Sequence, residues 1–346
     1  TEIGESAFSG CTSLEQTVLG ENVTKLGAKA FYNCRKLNLS MTLPKKLTVI
    51  ESSVFQGCTG LSGNLVIPEG VTTIRENAFN GCSGLTGDLD IPEKVTTIGE
   101  YAFWRCSGFG GTLTLPDNLN SIGRYAFYGC SEITGELVIP GKITEILYGT
   151  FSGMQKVTSV ILGEKVENIW TGYDSEHAFY QWNNVETVRF LSAVPPTVNS
   201  RYSTKYSVFY SMPNLKTVYI PQGTYQVYNS QYGDGIKAGV RLKEEGSGDF
   251  VITDGELISY SGIDTEVTVP DQVTRIGTGA FRNNTTIQKV TLPAGITAIG
   301  ANGFNNCTAL TEVDYTDSSS FTEIGESAFS GCTSLEQTVL GENVTK

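Results

Sequence analysis

Residues 67–85 read Ile-Pro-Glu-Gly-Val-Thr-Thr-Ile-Arg-Glu-Asn-Ala-Phe-Asn-Gly-Cys-Ser-Gly-Leu, and the same sentence recurs about twelve times along the 346 residues. With the phenylalanine as anchor, copies fall at Phe8, Phe31, Phe55, Phe79, Phe103, Phe127, Phe151, Phe179, Phe209, Phe281, Phe304 and Phe329. The step is 23 or 24 residues in the regular part. Five residues before the anchor stands an Ile or Leu, such as Ile50, Ile74, Ile98 and Ile122. Six residues after it stands another apolar residue, such as Leu61, Leu85, Phe109 and Ile133. Several slots agreeing in type and phase define a repeat array, in which each copy packs on its neighbours and length follows copy number.

Within one copy, Leu65-Val66-Ile67 alternates as a short half-buried strand. Pro68 ends it, because proline cannot donate to a ladder from an interior position. Val71 to Ile74 forms a second extended piece on the opposite side of the coil. Residues from Glu76 onward suggest one helical turn with Ala78, Phe79 and Cys82 inward. The 39 glycines serve turns between short segments. These readings give a right-handed solenoid, mostly β with short helical turns, with one parallel sheet along its concave face.

The slots Leu-x-Ile-Pro, Val-x-x-Ile, Ala-Phe-x-x-Cys and the closing Leu together resemble the BspA-like, Treponema-type leucine-rich repeat family. The resemblance covers residues 1–190 and 265–346. It implies a secreted or cell-surface bacterial protein, and some members resemble adhesins for host matrix proteins.

The period divides the chain. Residues 1–191 are leucine-rich repeats. Residues 192–245 are a degenerate last repeat and a C-terminal cap, with Tyr225, Tyr228 and Tyr232 at helical spacing. Residues 246–264 comprise a linker, flexible at Gly246-Ser247-Gly248, and the N-terminal cap hairpin of a further array, with Asp254-Gly255 at its turn. Residues 265–346 are leucine-rich repeats again, and 322–346 repeat 1–25 letter for letter. That identity suggests a window on tandem modules, or one rearranged module.

Composition narrows the chemistry. A net charge of −12 argues against nucleic acid and against an anionic membrane surface. No apolar run approaches the roughly 18 residues of a spanning helix, so no membrane insertion is expected in this region. The eight cysteines each follow an anchoring Phe by three residues, and Met154 and Met212 take that slot elsewhere. A position that accepts Met reads as a buried free thiol rather than a disulfide or a metal ligand.

His177 is the only histidine. Its slot holds Asn77, Tyr101 or Tyr125 in other copies, so it reads as a variable outward position. No nucleophile elbow, zinc-protease helix, phosphate loop or dinucleotide fingerprint is present, so no catalytic residue, metal or cofactor is assigned. Carboxylates such as Glu76, Glu100 and Glu176 read as surface charge suited to the start of a helical turn. Were there an enzyme, the irregular stretch from Trp170 to Glu176 is where it would be sought.

Two surfaces remain for binding. One is the outward row of the sheet, with Val66, Asp90, Thr114, Val138, Ile161, Arg189 and Tyr219, flanked by Asn64, Asp88, Thr112 and Glu136. Outward apolar members of such a row mark an interaction patch, although β-branched residues also favour strands for their own sake. The other is an aromatic group, Tyr101, Trp104, Tyr125 and Tyr128, of the kind that stacks on partners or sugars. The expected role is a non-catalytic protein-binding or adhesion scaffold. Its partner would be a host or neighbouring-cell surface or matrix protein, or a glycan. The alternative is a carbohydrate-binding or structural module of the cell envelope.

Overall fold

The computed structural model describes residues 1–38, 42–172, 176–200, 207–246, 248–315 and 320–338. Residues 173–175, Ser247 of the expected joint and the end of the repeated stretch, 339–346, lie outside them. The chain forms two compact units: one from Thr1–Ser192 and Pro196–Leu215, the other from Ala193–Pro195 and Lys216–Lys346.

The first unit is a leucine-rich repeat solenoid whose coils are bonded to each other on three sides. On one side the Ile slot forms a parallel ladder with no slip, Val49↔Thr73, Thr73↔Thr97 and Thr97↔Ser121. On a second side the Leu-x-Ile segments pair. In the early coils these are two-residue contacts, such as Leu89–Asp90 on Leu113–Thr114. From Thr134–Ile139 onward the pairing lengthens through Lys156–Leu162 to Thr187–Phe190. Gly63 and Gly87 take positive φ on this side of the coil, and so does Gly135, inside the strand Thr134–Ile139, where the ladder shifts register at Gly135/Glu136. The coil at Lys156–Leu162 has no such glycine.

The third side differs from the expected helical turn. Among the described residues there is one α-helix, Tyr225–Tyr232, with a short 3-10 turn after it. The segment around each anchoring Phe is instead a chain of turns with two left-handed positions per coil, at Ser53 and Gly57, Asn77 and Gly81, Tyr101 and Arg105. A helix cannot pass through such residues. The N–H groups so turned outward reach the next coil: Ser53 to Glu76 O, Phe55 to Ala78 O and Gly57 to Asn80 O, at 3.0, 2.9 and 2.7 Å. Glu76 therefore has no helix end beside it, and its carboxyl is held below the usual range chiefly by a hydrogen bond from Ser52.

Inside, the phenylalanines form one column. Consecutive rings from Phe8 to Phe151 lie 5.2–5.7 Å apart with interplanar angles of 3–16°. Such pairs add about 0.5–1.5 kcal/mol each beyond the burial of their area. Phe31 to Phe151 have no exposed surface, whereas Phe8 on the first coil is 37 % exposed.

The second unit opens with Thr217–Ile220 paired in parallel to Arg241–Glu244. Between them runs the helix, with Tyr225, Tyr228 and Tyr232 buried as their spacing predicts. The buried Glu244 accepts the Tyr225 N–H at 2.8 Å, placing a carboxylate at the start of the helix. A hairpin follows, Phe250–Thr253 with Glu256–Tyr260, turning at Asp254 and Gly255, both with positive φ. Its second strand pairs with Arg275–Ile276 and begins the ladder of a further array, whose Phe281, Phe304 and Phe329 stack at 4.7 and 5.2 Å.

Phe103 fills the middle of the column, so Phe103→Ala should lower unfolding free energy by about 3–5 kcal/mol. Urea titration followed by far-UV circular dichroism measures it, and a loss below about 1 kcal/mol would contradict the assigned slot.

Candidate functional site

The cysteine slot is built from the turn described above. In the regular coils the anchoring carbonyl accepts the N–H three residues on, as Phe31 O does from Cys34, and, where the next coil carries Cys, its thiol as well. Cys58 Sγ donates to Phe31 O at 2.9 Å, Cys82 to Phe55 O at 3.1 Å and Cys106 to Phe79 O at 3.0 Å. Where the slot holds Trp182, the indole Nε1–H performs the same task on Phe151 O at 2.8 Å. The thiols are free; Cys11 is exposed, Cys332 partly so and the other six buried. Burial pushes Cys58 and Cys130 up to about 12 and Cys82 and Cys106 well above the usual thiol range. In the folded chain a thiol reagent such as Ellman's should therefore titrate Cys11 promptly and Cys332 slowly. The remaining six should react only on unfolding, which a stopped-flow trace with and without denaturant resolves.

His177 is not outward. It is 1 % exposed. Its Nδ1 accepts the Phe179 N–H at 3.2 Å and its Nε2 donates to Ser207 O at 3.2 Å. Its coil is longer than the regular ones, which is how a slot open elsewhere becomes covered. Burial lowers its pKa to about 4. The unfolded chain, with an ordinary histidine near 6.5, then binds more protons between those values. Stability should fall as pH drops from about 6.5 toward 4 and level off below, by about 3 kcal/mol in total. His177→Asn should remove that difference in paired pH-stability curves.

The sheet row lies largely where the alternation places it. Val66 and Val138 are each 46 % exposed, and Asp90 and Thr114 are exposed and directly paired. Val138, Ile161 and Arg189 are in register across three coils, but Ile161 and Arg189 are only half-exposed, because the longer strands press their row neighbours against them. Tyr219, in the second unit, is half-buried and paired with Lys243. The flanking polar groups tie coils together. Asp88 Oδ1 accepts the Thr112 N–H at 2.7 Å and hydroxyl at 3.1 Å, and Glu136 accepts the Ser159 hydroxyl at 3.1 Å. Beside Val66, Thr42, Leu43, Lys45 and Pro68 help to line an open cleft of about 260 Å³.

The aromatic group is brought together, but ring on ring. Tyr101 stacks on Tyr125 at 5.2 Å, Trp104 on Tyr128 at 6.1 Å, and the Arg105 guanidinium lies 4.3 Å from the Trp104 ring. All four rings are half-buried. A separate aromatic pair, Tyr148 and Trp170, stands on the next two coils; Trp170 opens the irregular stretch named from the sequence, whereas Tyr148 was not expected. The available signal was Trp170 itself, in a position that is glycine at Gly99 and Gly123.

Among the described residues no group of three or more His, Cys, Asp or Glu is placed to hold a metal, and no helix is long and apolar enough to cross a membrane.

Three-sided coils closed by an Ala-Phe-x-x-Cys turn define a leucine-rich repeat protein. Residues 1–110, 111–235 and 259–346 match the BspA type leucine rich repeat region, and the chain belongs to that family. Among solved structures it is similar to a leucine-rich repeat protein from Bacteroides ovatus ATCC 8483. That match has 24% identity over 96% of this chain and 80% of the other, with a TM-score of 0.49. It is also similar to a leucine rich cell surface protein from Faecalibacterium prausnitzii A2-165, at 25% identity over 100% and 72% of the two chains and a TM-score of 0.40. The leucine rich repeat protein of T. pallidum matches at 21% identity over 69% and 79%, with a TM-score of 0.36. No curated protein matches the sequence.

Proposed function

We propose that the chain is a non-catalytic bacterial scaffold, secreted or held at the cell surface, that binds a host or neighbouring-cell surface or matrix protein along the outward row of its sheet. The observation that carries this reading is the exposure of Val66 and Val138, 46 % each, on a row whose other exposed members are the short polar Asp90 and Thr114. An apolar side chain left open on a regular surface costs solubility and gains contact energy only when a partner covers it. The cleft of about 260 Å³ beside Val66 gives a partner side chain somewhere to seat. Membership of the BspA type repeat family supports a scaffold rather than an enzyme. A net charge of −12 favours a partner with a basic face.

A second reading, a carbohydrate-binding or structural cell-envelope module, is supported by the half-exposed aromatic rows Tyr101–Tyr125 and Trp104–Tyr128.

The test is binding of the purified chain to an array of extracellular-matrix proteins. The expected outcome is a saturable hit whose affinity drops at least about tenfold in Val138→Asp, with thermal unfolding unchanged. Silence across the array, or a hit indifferent to Val138→Asp and Val66→Asp, would overturn the assignment to the sheet row.

A further inference from the structure

The Ile-ladder side of the first unit contains a step. The residue after the ladder isoleucine is Gly99 in one coil and Gly123 in the next, and a Cβ at either would lie 2.4 Å from a backbone nitrogen of the preceding coil. In the following two coils the same position holds Leu147 and Trp170. Two large side chains thus rise beside two positions that carry only hydrogen. The step leaves an open cleft of about 330 Å³, lined by Arg124, Glu145, Leu147, Tyr148 and Trp170.

The cleft has a definite chemistry. The Tyr148 and Trp170 rings have centroids 5.5 Å apart and planes 55° apart, so they form the walls of a shallow V instead of covering each other. Both are half-buried, with their bodies anchored in the coil. The Trp170 Nε1–H is buried and has no acceptor among the described residues, so the indole lacks the bond that ordinarily fixes a buried one. At the rim, the Arg124 guanidinium stands 5.7 Å from the Tyr148 ring. Glu145 and Arg124 are both exposed, and no ion pair joins them.

The lining selects its occupant. The volume is at the low end of the range for small-ligand sites, about 300–1,000 Å³, and too small for a protein element. Glu145 and the overall charge of −12 disfavour a polyanion, and Arg124 disfavours a cation. What fits is a small neutral molecule with an apolar face to lie on aromatic rings and hydroxyls at its edge. Such hydroxyls accept from a guanidinium and donate to a carboxylate. We propose that this cleft is a saccharide subsite, taking one neutral pyranose unit of a glycan. It stands on residues separate from the sheet row, so it and the protein-binding reading can fail independently.

Isothermal titration of the full chain with maltohexaose, cellohexaose, mannohexaose and chitohexaose, and with hyaluronan hexasaccharide as a charged comparison, tests it. At least one neutral oligosaccharide should bind in the millimolar range or tighter. Trp170→Ala and Arg124→Ala should each weaken that binding about tenfold or more. Trp170→Phe, which keeps a stacking face, should retain most of it. Glu145→Ala touches no core and should weaken binding without altering thermal unfolding, so loss through misfolding is separated from loss of the site. Lys36→Ala, on a distant exposed coil edge, should change nothing. Heat from none of the neutral sugars, binding confined to hyaluronan, or binding unaltered in Trp170→Ala and Glu145→Ala would overturn the subsite.

Discussion

The carbonyl of each anchoring phenylalanine is the point on which the fold turns. It faces inward, where an unpaired acceptor would cost about 1–3 kcal/mol. Its own coil supplies one hydrogen from the N–H three residues on, and the next coil supplies another from the Cys slot. A slot that does so has to be small or flat, apolar in bulk, and a donor. Cysteine satisfies all three, and Trp182 satisfies them where its coil has room for an indole, whereas Met154 and Met212 fill the slot without donating. A disulfide would consume the thiol hydrogen that this arrangement uses. Free thiols thus follow from the hydrogen bonding as well as from burial.

The same carbonyl explains why the turn is not a helix. A helix would return its N–H groups to its own coil and leave neighbouring coils joined there by side chains alone. Alternating left-handed residues such as Asn77 and Gly81 turn every second N–H toward the next coil instead. Each coil is then tied on three sides by main-chain bonds that do not depend on side-chain identity. That is why the outward residues are free to vary in type.

The repeat, the inward slots, the helix at Tyr225–Tyr232 and the Asp-Gly hairpin were legible in the sequence because each rests on a periodicity or on a turn residue. The spacing in Ala-Phe-x-x-Cys misled, since inward residues three apart satisfy a helix and a chain of turns equally well. The discriminating signal was Gly two residues after the Phe in Gly57, Gly81, Gly129 and Gly153, each of which takes positive φ. His177 misled for another reason. Slot averages describe coils of standard length, whereas the coils at Phe179 and Phe209 are longer, and there the carbonyl of Ser207, in the next copy, accepts from the buried imidazole. Trp170 was visible as an exception to a glycine position, but its meaning required knowing that Gly99 and Gly123 pack against the preceding coil at that position.

A solenoid of this kind offers partners two different kinds of surface, and the residues divide between them. Where coils are regular, as around Thr114 and Val138, the surface is a ladder of short side chains at a fixed spacing, suited to extended contact with a protein. Where the regular slot is broken, as at Leu147 and Trp170, neighbouring side chains differ in height and a cavity results. Identical side chains stacked one above another leave no step between them, so where the slot changes size a cavity with walls of unequal height opens. The cleft at Tyr148 and Trp170 is such a departure, with aromatic rings for walls.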